Sequence, residues 1–118
     1  NATIHLTYKG IDNNLFKLLE DSRNMVYKHT VKADAINEKT YLNIINQTHG
    51  TLYEIAGETA SAIQFHITDS INHFIRGALY FHVHPNQDSL KPIINYLKND
   101  ITQIMESLQW EEIIALKE

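Results

Sequence analysis

The feature that most constrains this chain is the apolar stripe of residues 90–108, where Leu90, Ile93, Ile94, Leu97, Ile101, Ile104, Met105 and Leu108 recur at three-to-four spacing. Side chains at that spacing share one side of an α-helix and must be buried against another layer. Asp88 or Ser89 is placed to cap this helix, and Pro92 falls in its first turn, where a missing N–H costs little. The surface the stripe covers is written just before it. Ile63, Phe65 and Ile67 alternate with Gln64 and His66, and Ile75, Leu79, Phe81 and Val83 alternate with Arg76, Tyr80 and His82. Period-two alternation marks half-buried strands, so the pattern predicts strands over 60–68 and 73–83 joined by an Asx turn at Asp69-Ser70. Gly77 inside the second strand predicts a bulge or the close approach of a helix, and Pro85 ends the strand.

Upstream, Ile4, Leu6 and Tyr8 alternate with Thr3, His5 and Thr7 as far as Gly10, which predicts another strand. Asp12 or Asn13 can cap a helix running from about Asn13 to about His29, with Leu15, Phe16, Leu18, Leu19, Met25 and Val26 on its apolar face. Residues 31–47 read as a polar connection with a few apolar anchors; Tyr41, Leu42, Ile44 and Ile45 fit a strand or one helical turn. A strand signal returns from Thr48 through Leu52, Tyr53 and Ile55, and Gly57-Glu58 forms the next tight turn. Short turns make neighbouring strands antiparallel. The expected fold is α+β: a two-layer sandwich in which two amphipathic helices pack on one face of a mainly antiparallel sheet, and the polar face is left to a partner or to residues missing before Asn1.

A length of 118 residues with 43% hydrophobic and 20% charged side chains suits one domain over 1–118. A net charge of −4 with only ten Lys and Arg argues against nucleic acid, whose phosphates need clustered cations. No window approaches the roughly 18 consecutive apolar residues of a membrane span. The absence of cysteine is equally compatible with reducing and oxidising compartments. Asn1 stands directly inside a strand pattern without an initiator Met, so the chain is expected to be a fragment whose upstream segment is missing.

The residues able to carry chemistry are dispersed. His82 and His84 share one face of a strand and are the weak metal candidates, for which His66, His73 or Asp88 would have to supply a third ligand. Two surface histidines before a proline are the plainer interpretation, so neither a metal nor a cofactor is expected. Asp69, Ser70 and His73 have the residue types of a hydrolytic triad, but their turn context makes an Asx turn the better account. Arg76 can clamp a partner's carboxylate with its planar fork or pair with Glu54 or Asp69 inside the fold. Together with Gln64, Tyr80 and His82 it forms a candidate partner-binding face, since aromatic residues and Arg dominate binding hot spots. The first strand's edge, or exposed Phe74 and Tyr80, is expected to promote self-association.

The words ATIHLTYK, EDSRNMVYKHTVKADAI, GTLYEIAGETASAIQF, TDSINHFIRGALYFHV and PNQDSLKPIINYLKNDI, closing on Leu108-Gln109-Trp110, resemble in order the C-terminal two-thirds of the GldD-type gliding-motility lipoproteins of Bacteroidetes. The resemblance extends through surface words such as DSRNMVYKH, which helical periodicity alone does not demand. It implies a periplasmic protein tethered by a lipidated N-terminal cysteine, with signal peptide, lipidated cysteine and N-terminal third absent from this chain. It also implies an accessory, non-catalytic role in the gliding and type IX secretion machinery, acting through protein–protein binding with other machinery proteins. The competing expectation is a small-ligand or metal-binding protein, or a hydrolase, built on the histidines of the second half.

Overall fold

The computed structural model describes residues 2–28, 33–57, 61–81, 87–108 and 110. The chain runs β1 (Ala2–Gly10), α1 (Leu15–Lys28), β2 (Ala33–Asn43), β3 (Thr48–Gly57), β4 (Ile63–Thr68), β5 (His73–Phe81) and α2 (Gln87–Ser107). All five strands join one sheet in the order β1-β5-β4-β3-β2, and every neighbouring pair is antiparallel. Strands β2 to β5 form a meander, and β1 adds to its far side by pairing with β5. The fold is α+β, as the alternating strands and two amphipathic helices imply.

The two helices lie on opposite faces, not on one. Ile94, Ile101 and Met105 of α2 bury against Leu52, Ile63, Phe65, Ile67 and Leu79. Val26 of α1 buries instead against Tyr53 and Ile55, whose side chains alternate with Leu52 and therefore point through the sheet the other way. Topology supplies the reason. β1 and β2 are the two edges of the sheet, four strand spacings or about 19 Å apart, and α1 alone connects them. Its 14 residues are about 21 Å long, which matches the width to be crossed. The crossing lays Leu18 near Phe74 and Arg76, and lays Arg23 and Tyr27 on Glu38 of β2.

Several local expectations change with the sheet. Residues 33–43 form a full edge strand, paired from Ala33 opposite Gly57 to Asn43 opposite Thr48, with one irregularity near Ala35. Most of that strand is exposed, so its residues lack the alternation that burial imposes. Asn14, one or two residues beyond the expected cap, accepts the first helical bond of α1 from the Leu18 N–H (3.0 Å). Helix α2 starts at Gln87, so Pro92 lies inside it, on an exposed turn. Gly77 makes no bulge, because the β5 register is continuous on both sides. Its missing side chain leaves room for the ring of Phe65, its cross-strand partner. Phe74 is buried beneath α1 and offers no surface for self-association.

Candidate partner-binding surface

Strand β4 is buried along its whole length, on both faces. Gln64, His66 and Thr68 therefore form a polar layer under α1, where an open face had been expected. Gln64 is 0% exposed, and its side-chain carbonyl accepts a bond from Arg76 Nη2. Arg76 stands mid-strand between Thr7 of β1 and His66 of β4. Burial lowers its guanidinium pKa, and the nearby Tyr80 acts in the opposite sense. Neither Glu54 nor Asp69 serves it. Glu54 pairs with Lys98 of α2 on the other face, and Asp69 is committed to its own turn. Among the described residues no carboxylate forms an ion pair with Arg76. Its Nε and the Gln64 Nε2 are buried without a hydrogen-bond partner among those residues. A cavity of about 220 Å³ opens beside it between α1 and the sheet, lined by Thr7, Lys9, Leu18, Asp21 and Phe74 among others. Tyr80, half-buried, meets His5 edge-on at 5.1 Å. Of the four candidates Arg76 and Tyr80 thus reach the surface, Gln64 holds Arg76 from below, and His82 lies outside the described residues.

The histidines are not brought together. His66 lies under α1, stacked on Phe74 with ring centres 5.6 Å apart. His73 is on the α2 face, stacked on Trp110 at 5.0 Å and bonded to the Tyr8 hydroxyl. His84 and the Asp88 side chain, like His82, lie outside the described residues. Among the described residues no three of His, Asp and Glu are grouped to hold a metal.

The triad-like residues build a turn. Asp69 Oδ1 accepts the N–H groups of Ile71 (3.0 Å), Asn72 (2.9 Å) and His73 (2.9 Å), which is the expected Asx geometry. Burial alone would raise the Asp69 carboxyl, but these N–H groups outweigh it and hold the pKa below its ordinary value. The Ser70 hydroxyl meets Nε2 of His49, not His73. That contact is a two-residue one, since Asp69 is turned toward the backbone of its own loop.

A further surface escaped the sequence reading. Ile44 and Ile45 occupy the β2–β3 turn and are 79% and 93% exposed, beside Leu42 at 71%. Ile71, 67% exposed, sits on the β4–β5 turn. The register places both turns at the same end of the sheet, because Asn43 faces Thr48 and His49 faces Thr68. Turns are ordinarily polar, so adjacent isoleucines within Asn43-Ile44-Ile45-Asn46-Gln47 were the available signal.

No helix among the described residues is long and apolar enough to cross a membrane. Comparison with curated proteins and with solved structures gives no match. A family model does: the one described as gliding motility lipoprotein GldD matches residues 1–110, from the edge strand to Trp110. That span takes in every element of the fold, and the chain belongs to the GldD family of gliding-motility lipoproteins, with the accessory role in gliding motility and the membrane anchoring that this family implies.

Proposed function

We propose that this chain is a non-catalytic binding module of a periplasmic lipoprotein, tethered by N-terminal lipidation of the intact protein, that docks onto other proteins of the gliding and type IX secretion machinery. The observation that carries this reading is the exposed aliphatic end formed by Ile44, Ile45 and Ile71. Large apolar side chains held in water on two adjacent turns are the raw material of an interface core. Arg76 supplies specificity in the same reading. A half-buried guanidinium without an acidic partner among the described residues favours a protein whose carboxylate enters the cleft beside α1. Tyr80, half-buried on the same strand, extends that contact.

The test is co-purification of machinery proteins from gliding cells with the intact lipoprotein and its variants. Ile44→Ser with Ile45→Ser should abolish capture while leaving the thermal midpoint within a few degrees, since both side chains are exposed. Arg76→Glu should weaken capture by reversing the charge in the cleft. Full capture by the double isoleucine variant would refute the reading.

A further inference from the structure

We infer that the β1 edge is a self-complementary docking strand whose partner is a second copy of this chain, paired antiparallel about a two-fold axis at Leu6. Ile11 N–H bonds the Asn72 carbonyl at 2.9 Å, continuing the register in which Gly10 faces His73. Antiparallel ladders alternate, so the odd residues Thr3, His5, Thr7 and Lys9 turn their backbone groups toward β5. Ala2, Ile4, Leu6, Tyr8 and Gly10 turn theirs outward, and among the described residues no strand pairs with that side. The same even residues put Ile4, Leu6 and Tyr8 in a row on the α2 face, exposed at 38%, 65% and 58%. Backbone and side chains therefore offer their unmet interactions at the same positions.

Pairing two such edges about Leu6 sets Leu6 opposite Leu6, Ile4 opposite Tyr8 and Ala2 opposite Gly10. Every outward residue then meets an outward residue, giving about ten backbone hydrogen bonds along about 30 Å of edge. Shifting the register by two residues loses at least one pair, and shifting it by one sets outward groups against inward ones. On the opposite face the axis sets Thr3 opposite Lys9 and His5 opposite Thr7. Lys9 is the only Lys, Arg, Asp or Glu on the strand, and this register keeps the two copies of it apart. The other edge of the sheet is protected in the usual ways: β2 carries Glu38 and Lys39 at its centre and is irregular near Ala35. An interface of one strand edge and one apolar row lies near the lower end of stable sizes, about 1,200 Å² in total. It predicts association in the micromolar range.

Sedimentation equilibrium from about 10 µM to about 1 mM tests this. The weight-average mass should climb from 13.6 kDa toward twice that value. Leu6→Lys, which places two ammonium groups across the axis, should hold it at the monomer mass. The absence of cysteine from the chain permits a register-specific test. Opposed Cα atoms at Leu6 would stand about 5.5 Å apart, within disulfide reach, so Leu6→Cys should cross-link rapidly under mild oxidant. Phe16→Cys, on α1 and 79% exposed, is the control and should cross-link more slowly by at least tenfold. A monomer throughout the range, a dimer that survives Leu6→Lys, or equal cross-linking by the two cysteine variants would each overturn the proposal.

Discussion

Acid should weaken this fold mainly through one side chain, His66. It is 7% exposed, its Nδ1 has no hydrogen-bond partner among the described residues, and its ring lies flat against Phe74. Burial, with smaller repulsions from His49 and Arg76, lowers its pKa from 6.5 to about 4. The sign follows from which state holds the proton. Above pH 6.5 both folded and unfolded chains carry a neutral imidazole, and the fold keeps its full stability. Below that value the unfolded chain takes up a proton that the folded one refuses. Stability then falls by about 1.4 kcal/mol per pH unit until the folded pKa of about 4 is reached. Between pH 7 and pH 5 the loss is about 2 kcal/mol, a large share of a typical 5–15 kcal/mol. Urea unfolding followed by far-UV circular dichroism should show the midpoint falling by about 1–2 M over that interval. His66→Phe keeps an aromatic ring on Phe74 and removes the titration, so its midpoint should fall by that much less. Equal acid sensitivity in the two proteins would refute the reasoning.

Other outcomes follow from single positions. Gly50→Ala should cost more stability than Gly77→Ala in urea unfolding, because a Cβ at Gly50 meets the fixed backbone of His66 while one at Gly77 meets only the Phe65 ring. About 1–3 kcal/mol is expected for Gly77→Ala and more for Gly50→Ala. Asp69→Ala should lose about 1–3 kcal/mol at pH 7 by stripping acceptors from the turn. Since the folded Asp69 pKa is depressed, that difference is present above the ordinary value of 3.8 and should fade as pH falls below it. Hydrogen exchange should open α1 before α2, since α1 rests on Leu18, Ser22 and Val26 over polar groups while α2 seals the main apolar cluster.

The parts of the fold legible in the sequence are those where burial imposes a period. The α2 stripe and the alternation of β4 and β5 name their elements because each has an apolar face packed into the main core, whereas β1 is legible by alternation although its apolar row is exposed. Strand β2 was illegible for the complementary reason. It is an edge strand held by pairing with β3, and Asn37, Glu38, Lys39 and Thr40 answer to water more than to a core. The pairing of β1 with β5 was equally hidden, since no local signal reports which edge a distant strand will join. That one long-range pairing decides where α1 goes.

From the same pairing comes the character of the candidate site. Once β1 and β2 occupy opposite edges, α1 must cross the sheet, and the face it crosses is the polar one. Alternation correctly marks Gln64, His66 and Arg76 as facing away from α2, but facing away from one layer is not the same as facing water. Covering them leaves Gln64 Nε2, His66 Nδ1 and Arg76 Nε without partners among the described residues, at about 1–3 kcal/mol for each buried polar group left unpaired. A sheet face built for stability alone would carry apolar side chains there, as the α2 face does with Leu52, Ile63, Phe65, Ile67 and Leu79. Ile44 and Ile45 pose the opposite contradiction, apolar side chains where water prefers polar ones. Both anomalies would be relieved together by a partner that covers the aliphatic end and sets a carboxylate beside Arg76, giving the exposed isoleucines a core and the half-buried guanidinium a counter-charge.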